Sequence, residues 1–422
     1  MNFAVVPPTI LTALLLSASL VSAADWSQFR GAGTAGRADD AGLPTTWSAG
    51  ENIVLREELP GYGASCPIVV GDRVYLTCWS GYGLDEANPG HRADLKLHVV
   101  ALDKATGKVI WNQSRPASPN EQDFGRRLGE HGYASPTPCS DGDRVYAYFG
   151  VSGLVAYDRE GQFLWHANCG DKTAGFGCAA SPILFHDLVI QNGSIESGTV
   201  YAFNKRTGEL VWKDENITKA WTTPTIAELS DGHAELILNQ QDFICGFNPE
   251  TGEKLWTCAG INDYVVPSVV VHEDVAYCFG GRQNRAIAVR LGGRGDVTAT
   301  NKLWEQKIGA NVTSPVYHDG QLYCANDKGA ALCLDAATGE TLTQERLPAR
   351  GRIYASIVCG DGKLYVTTRD TGVVVLAAQP EYRELATNVI ADDPHLFNSA
   401  PAVSDGRLYY RTNGWLYCIG RK

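Results

Sequence analysis

Aromatic, amide and charged side chains that could bind a ligand recur just before a series of short apolar strands. When the repeated Ser-Pro or Thr-Pro elements are aligned, the position two residues earlier holds Tyr133, Trp221, Tyr264, Tyr354 and Asn398. Close to these positions lie Tyr62, His131, Lys219, Asp263 and Arg352. Flat apolar surface beside cationic donors suits a small acidic ligand, with Lys219 and Arg352 holding its carboxylate and Trp221 stacking on it. The alternative interpretation is that the aromatic residues plug a channel and the charges are solvated at its rim.

A histidine and a carboxylate in this set raise the question of catalysis. His131 could act as a general base with Asp263 as its partner, but the two residues belong to different repeated units. The sequence contains no H-E-x-x-H, G-x-S-x-G or P-loop motif and no paired Cys/His metal spacing. We therefore predict no metal site and leave the catalytic residues unassigned.

A repeated turn motif must build the scaffold that positions these residues. Its clearest copy runs from Tyr201 to Trp212. The Asx residue accepts hydrogen bonds from the turn backbone, glycine supplies a positive φ, and tryptophan can fill the gap between two stacked sheets. The Asx, Gly and Trp positions of four copies are Asp103, Gly107 and Trp111; Asp158, Gly161 and Trp165; Asn204, Gly208 and Trp212; and Asn248, Gly252 and Trp256. We predict that these residues specify the fold rather than a reaction.

The spacing of the repeats predicts an all-β fold, an eight-bladed β-propeller of four-stranded antiparallel blades. Units of about 40–50 residues with no helical pattern between them are typical of such rings. The last unit lacks an outer strand, which the strand Asn52 to Leu59 is expected to supply, so that both chain ends close one blade. Residues 52–422 are predicted to form a single domain, and residues 24–51 to wrap its outside. Two insertions in the first blade, Trp79 to Lys96 and Ser114 to His131, are expected either to bind a partner or to cap one face.

The amino terminus resembles a secretory signal peptide. Residues 1–23 carry no charged side chain, contain an apolar run and end in small residues, with no lipid-attachment cysteine close behind. No later segment is apolar enough to span a membrane. We therefore predict a cleaved signal peptide and a periplasmic or secreted protein, most simply a monomer.

Composition restricts the partners and the cysteine chemistry. A formal net charge of -11 argues against nucleic acid as the main ligand. The twelve cysteines include no adjacent pair and no C-x-x-C motif, so buried thiols are expected. The one disulfide that we predict joins Cys324 and Cys333, which lie symmetrically about the turn Asn326-Asp-Lys-Gly329.

The A-x-D-x-x-T-G-x-x-x-W motif with a Ser-Pro strand between its copies resembles the pyrroloquinoline quinone (PQQ) repeat family. The resemblance extends from Asn52 to Lys422, nearly the whole mature chain. It implies a β-propeller, the fold both of quinoprotein alcohol dehydrogenases, which bind PQQ and calcium, and of the BamB-type lipoprotein of outer-membrane protein assembly, which binds protein partners. This chain has neither the adjacent cysteine pair typical of the former nor the lipidation cysteine of the latter.

Two functions follow from these observations. The first is an exported, non-catalytic module that binds an envelope or extracellular protein, or a small acidic ligand, through its channel mouth and the first-blade insertions. It requires no cofactor. The alternative is a PQQ-dependent oxidoreductase acting on alcohols or sugars, which would require PQQ with calcium.

Overall fold

The computed structural model describes residues 25–349 and 351–421, and the predicted signal peptide lies outside them. Their strands form eight antiparallel sheets arranged in a ring, which confirms the predicted eight-bladed β-propeller. Within each blade we number the strands from the central channel outward. The described helices are all short; none could cross a membrane.

The first four blades have the following strands. Blade 1 comprises Ile68–Val70, Arg73–Ser80, Lys96–Asp103 and Val109–Pro116. Blade 2 comprises Cys139–Ser140, Arg144–Tyr148, Leu154–Asp158 and Phe163–Ala167. Blade 3 comprises Ile183–Phe185, Leu188–Gly193, Thr199–Asn204 and Leu210–Asp214. Blade 4 comprises Thr225–Glu228, Ala234–Gln240, Phe243–Phe247 and Lys254–Ala259.

The second four blades repeat the plan. Blade 5 comprises Val270–His272, Val275–Gly280, Arg285–Arg290 and Lys302–Gln306. Blade 6 comprises Val316–His318, Gln321–Ala325, Ala330–Asp335 and Thr341–Arg346. Blade 7 comprises Val358–Gly360, Lys363–Thr368, Gly372–Ala377 and Glu384–Asn388. Blade 8 comprises Ala402–Ser404, Arg407–Arg411, Trp415–Ile419 and Ile53–Glu58.

Short elements lie between or beside the blades. Two short strands pair in parallel with a blade, Gly295–Asp296 with the outer strand of blade 4 and Arg37–Ala38 with the first strand of blade 7. The described α-helices are Ser194–Ser197 and Thr298–Asn301. The described 3-10 helices are Ala32–Thr34, Arg92–Asp94, Gly125–Arg127 and Gly150–Ser152.

Ring closure follows the prediction. The strand Ile53–Glu58 pairs antiparallel with Trp415–Ile419 and completes blade 8. Arg56 on this strand lies 4.1 Å from the ring centroid of Trp415 and bonds Asp392 at 2.5 Å. Both chain ends therefore share one sheet, which removes the open edge that an incomplete blade would leave.

The repeated motif joins each blade to the next. The indole N–H of Trp165 in blade 2 donates to the carbonyl of Lys205 in blade 3 at 3.2 Å, and Gly208 lies flat against the same indole. Equivalent bonds run from Trp111 to Arg159, from Trp212 to Pro249 and from Trp304 to Ala336. In blade 8 Leu55 occupies the corresponding place against Gly107. The tryptophans thus connect and pack neighbouring blades.

We expected the segment before the closing strand, residues 24–51, to wrap the outside of the propeller. Its described part does more than that. Its first part crosses the central channel. The backbone N–H of Trp26 donates to the carbonyl of Val69 in blade 1 at 2.8 Å, and the hydroxyls of Thr34 and Thr225 in blade 4 form a hydrogen bond of 2.6 Å. Arg30 is buried and donates to the carbonyls of Ser314 and Ile357, in the entries to blades 6 and 7. Local sequence pattern missed this because the blade residues that the Thr34 and Arg30 side chains contact lie 191 to 327 residues away.

The predicted disulfide is also wrong. All twelve cysteines lie in the described residues and are free. Cys324 is opposite Leu332 in the blade 6 hairpin, and Cys333 is opposite Tyr323. Since neighbouring residues of a strand point to opposite faces of the sheet, this register places the two thiols on opposite sides.

Candidate functional site

A belt of hydrogen bonds around the channel connects the entries to the first strands. The backbone N–H of Thr223 in blade 4 donates to the Ser268 hydroxyl of blade 5 at 3.0 Å, and Ser268 N–H donates to Ser314 of blade 6 at 2.9 Å. The belt positions, in blade order, are Cys66, Thr137, Ser181, Thr223, Ser268, Ser314, Ser356 and Ala400. Two positions of the belt lack a hydroxyl. Ala400 has no side-chain acceptor, and Cys66 accepts the Ala400 N–H through its sulfur at 3.3 Å. The repeated small residue beside proline is therefore an acceptor for the preceding blade.

A cavity of about 270 Å³ lies above this belt at one mouth of the channel. The belt residues line it, together with the residues two positions before them, one from each blade. Those eight are Ala64, Ser135, Ala179, Trp221, Val266, Val312, Tyr354 and Asn398. In blade 5 the belt residue Ser268 follows Pro267 instead of preceding a proline, and in blade 2 Thr137 lies between two prolines, Pro136 and Pro138. Alignment on the prolines therefore displaced the predicted ring by two residues in those blades.

The cavity is closed at its inner end by the amino-terminal segment. Phe29 lines the cavity, and the neighbouring Arg30 anchors the segment to the carbonyls of Ser314, Pro315 and Ile357. Asp25 accepts the N–H of Gly71 and Asp40 that of Gly406, both in turns between a first and a second strand. Because these turns lie at the end of the ring away from the entries to the first strands, the segment covers the far end of the channel. Among the described residues, the cavity therefore lies at the end of the channel opposite this segment.

Aromatic side chains dominate the mouth. Trp221, Tyr264, Tyr354 and Phe176 line the cavity, and the indole N–H of Trp221 donates to the carbonyl of Gly177 at 2.8 Å. The Tyr264 hydroxyl accepts a bond from Asn311, another lining residue, at 3.0 Å. These bonds orient the rings, so that the mouth presents a fixed apolar surface.

Arginine side chains outside the cavity stack on these rings. The guanidinium of Arg127 lies 4.4 Å from the centroid of Phe176, and that of Arg282 lies 4.4 Å from Tyr264. Arg369 lies 5.6 Å from the centroid of Tyr354. None of these arginines is among the lining residues. They form a rim around an aromatic mouth.

The second insertion of blade 1 reaches across to blades 7 and 8. The Glu130 carboxylate lies 3.4 Å from Arg369 and 3.7 Å from Arg352. The carbonyl of Gly129 accepts bonds from Arg369 at 2.9 Å and from Asn398 at 3.0 Å. This insertion contributes Glu130 and His131 to the cavity, whereas the first insertion contributes no lining residue.

His131 is a neutral component of the wall. Its ring packs between Phe124, at 5.1 Å, and Phe176, at 6.1 Å, and its Nδ1 faces the carbonyl of Gly132 at 3.4 Å. Burial lowers the pKa of His131 to about 4, because it disfavours the imidazolium. Asp263 is not its partner, since that carboxylate bonds Arg282 at 2.8 Å. The dyad considered from sequence is therefore not among the described contacts of either residue.

The structure brings together only part of the predicted set. His131, Trp221, Tyr264, Tyr354 and Asn398 line the cavity. The other five, Tyr62, Tyr133, Lys219, Asp263 and Arg352, do not.

Each of those five has another environment. Tyr133 is buried under the insertion and donates its hydroxyl to Gln122 at 2.8 Å, because the true ring position in blade 2 is two residues later. Tyr62 packs on Trp79 and His395. Lys219 is exposed, and Arg352 bonds the hydroxyl of Tyr354 at 2.9 Å. Lys219 and Arg352 therefore do not form the predicted carboxylate clamp within the wall.

Sequence reasoning missed Phe29, Glu130, Phe176, Asn311 and Asp327, all of which line the cavity. Phe176 could have been noticed as an aromatic residue between two glycines in the connection between blades 2 and 3. Asp327 lies in the turn between the second and third strands of blade 6, a position at which aspartate is explained by turn formation alone. Phe29 carried no local signal.

Two buried carboxyl groups lie beside the same loops. Ser152 donates its hydroxyl to Glu121 at 2.7 Å, while Glu196 occupies the short helix after the second strand of blade 3. Burial raises the pKa of both carboxyl groups to about 7. Neither residue lines the cavity.

Comparison with known proteins agrees with this architecture. The family model of the outer membrane protein assembly factor BamB matches residues 38–175 and 96–345. BamB of Yersinia pestis is 23% identical over 331 residues, which cover 71% of this chain and 79% of that protein.

Solved structures extend the similarity in fold. The crystal structure of BamB from Moraxella catarrhalis has a TM-score of 0.59 at 13% identity and covers 88% of this chain and 97% of its own. A europium-containing methanol dehydrogenase has a TM-score of 0.66 at 11% identity, with 94% of this chain and 98% of its own chain covered. At these identities the likeness concerns the fold alone. The family match, however, covers more than half of the sequence, and the chain therefore belongs to the BamB-type family of PQQ-repeat β-propeller proteins.

Proposed function

We propose that this protein is an exported, non-catalytic binding module that receives its partner in the cavity at the channel mouth. The observation that carries the proposal is the blind cavity itself, about 270 Å³ in volume, walled by Trp221, Tyr264 and Tyr354 and closed by Phe29. Concave apolar sites with a few polar groups are typical binding sites. The volume suits one small ligand, or one large side chain of a protein partner.

The relatives indicate where such a module would act. The family model and the Yersinia pestis relative are both described as outer membrane protein assembly factors. A signal-like segment at residues 1–23 of this chain fits export to the same compartment. The partner that we propose is accordingly an envelope or extracellular protein, or a small molecule found there.

PQQ with calcium, the cofactor of the alternative function, does not fit this cavity. PQQ carries three carboxylates, but Glu130 and Asp327 are the acidic groups among the lining residues, and no lysine or arginine lines the cavity. His131 supplies no positive charge at neutral pH. Among residues 25–349 and 351–421, no group of three His, Cys, Asp or Glu side chains is arranged to hold a metal ion. We derive no oxidation step for this chain.

Site-specific photo-crosslinking tests the proposed binding face. A benzophenone amino acid replaces Phe176, a rim residue 47% exposed, or Phe163, which is 51% exposed on the outer strand of blade 2. The full chain is expressed in its own host and irradiated. We expect adducts at position 176 and none at position 163. Adducts only at position 163 would place the binding face on the outer edge and refute the proposal.

Equilibrium dialysis of the purified protein with PQQ and calcium tests the alternative. We expect no retention of PQQ and no dye reduction with alcohols or sugars. Stoichiometric retention together with substrate-dependent dye reduction would establish the oxidoreductase instead.

A further inference from the structure

We propose that the group bound in the cavity is an organic cation, a primary ammonium or guanidinium on a flat or short apolar body. This inference rests on the proposed function, since it names the chemistry of the ligand for the same cavity. It replaces the acidic ligand that the sequence suggested.

The charges of the lining residues are the first observation that favours a cationic ligand. Two lining residues hold a carboxylate, Glu130 and Asp327, and none holds a lysine or arginine side chain. Among the lining residues His131 could also carry a positive charge, but it is buried and neutral at neutral pH. An anion in this cavity would therefore face like charge, whereas a cation would face opposite charge in a partly desolvated site.

Asp327 is the less compensated charge of the pair. Glu130 has Arg369 at 3.4 Å and Arg352 at 3.7 Å as counter-charges. Asp327 is only partly exposed, and none of its described contacts is a hydrogen bond or a close ion pair. The counter-charge that acts on it at longer range is Arg352, which also lies beside Glu130. A partly buried charge without a close partner is costly, and a ligand cation would reduce that cost. Asp327 is thus the group that selects the charge of the ligand.

The aromatic walls suit the same ligand. Trp221, Tyr264 and Tyr354 line the cavity, and indole and phenol rings attract cations to their faces. The protein already uses this contact at the rim, where Arg282 lies 4.4 Å from the Tyr264 centroid. The rim cation is itself compensated, because Arg282 bonds Asp263 at 2.8 Å. Arg352 and Arg369 share the Glu130 carboxylate, and Arg127 stacks on Phe176. The proposed preference is therefore a property of the lining residues inside this rim.

Isothermal titration of the purified full chain with three probes of one shape measures the preference. The probes are benzylamine, benzyl alcohol and benzoate, which differ in charge but share a benzene ring. We expect benzylamine to bind at least about tenfold more tightly than benzyl alcohol, and benzoate to bind more weakly than both. The peptide acetyl-Gly-Lys-Gly-amide is compared with benzylamine. Tighter binding of the peptide indicates a side chain of a protein partner, and tighter binding of benzylamine indicates a free amine.

Two variants identify the group responsible. Asp327→Asn keeps the shape of the side chain and should lower the affinity for benzylamine about tenfold while leaving benzyl alcohol unchanged. Glu86→Gln removes an exposed carboxylate of the first insertion and should change neither. Circular dichroism melting of each variant checks that the fold is retained.

The inference fails if no probe binds, if benzoate binds as tightly as benzylamine, or if Asp327→Asn leaves benzylamine binding unchanged. Its failure is separable from failure of the proposed function. Binding of benzoate, or crosslinking at position 176 without any cation preference, would leave a binding module with a different ligand. Absence of crosslinking at position 176 would remove the binding module itself.

Discussion

The hydroxyl belt shows how single residues hold the blades in register around the cavity. Ser268 is buried and accepts the backbone N–H of Thr223 from the neighbouring blade at 3.0 Å. Ser268→Ala should leave that N–H without an acceptor and lower the free energy of unfolding by about 1–3 kcal/mol. Ala400→Ser, which adds a hydroxyl at the belt position that lacks one, is the control and should cause no loss. Urea unfolding followed by tryptophan fluorescence measures both; equal losses would contradict the belt.

The buried carboxyl groups predict how stability depends on pH. Burial raises the pKa of Glu121 and Glu196 to about 7, above the ordinary 4.5. Their contribution to stability is therefore complete below about pH 4.5 and is lost as the pH rises through 7. The cost at pH 8.5 is on the order of 3–4 kcal/mol for each group, since one pKa unit corresponds to about 1.4 kcal/mol.

Unfolding at pH 5 and pH 8.5 checks this prediction. Glu121→Gln and Glu196→Gln should each lose less stability between the two pH values than the wild type. Glu86→Gln, an exposed carboxyl group, should lose as much as the wild type. An unchanged pH profile in both buried variants would show that these groups do not titrate as described.

The sequence predicted that the residues before each first strand surround the channel. It did not show which residue of each blade faces the channel. Aligning on Pro136 placed Tyr133 at the channel, but the belt residue Thr137 precedes a second proline, Pro138, just as Ser181 precedes Pro182. Proline marks the start of a strand without showing which neighbour accepts the hydrogen bond. Only the partner in the next blade distinguishes the two arrangements.

The turn between the outer two strands is the element that joins the blades, and one glycine in it is closely packed. Gly208 has a φ of +75°, and a methyl group added there would lie 2.6 Å from the Trp165 ring. Gly208→Ala should therefore cost backbone strain of about 1–2 kcal/mol plus about 1–3 kcal/mol of overpacking. Gly232 has a φ of +86° with nothing within 4 Å, so Gly232→Ala should show the strain alone. Equal losses in chemical denaturation would refute the packing role.

The strands and this turn motif were predictable because both follow local rules. Asp103 accepts bonds from the N–H and the hydroxyl of Thr106, and Trp111 bonds Arg159 of the next blade. Periodicity and turn residues are sufficient to locate such elements. The disulfide was predicted wrongly because hairpin register depends on a single residue. Cys324 and Leu332 are opposite each other, so Cys333 faces the other side.

At the scale of the whole molecule, the amino-terminal segment turns a through-channel into a blind cavity. Arg30 is buried and donates to carbonyls of its own segment and of residues 314, 315 and 357. Arg30→Met should leave several carbonyls unsatisfied and lower stability by about 3 kcal/mol or more. Arg37→Met, in the same segment, removes an exposed ion pair with Asp39 and should cost less than about 1 kcal/mol. Similar melting temperatures for the two variants would show that Arg30 does not anchor the segment.

We propose that the cavity at the channel mouth binds a ligand and that this ligand is a cation. The most direct measurement is anomalous diffraction from crystals of the full protein soaked with 4-bromobenzylamine. We predict one bromine peak in the cavity between Trp221 and Tyr354, with the ammonium directed toward Asp327, and no such peak in Asp327→Asn crystals. A cavity that contains only water, with the bromine bound elsewhere on the propeller, would contradict binding of a cation at this site.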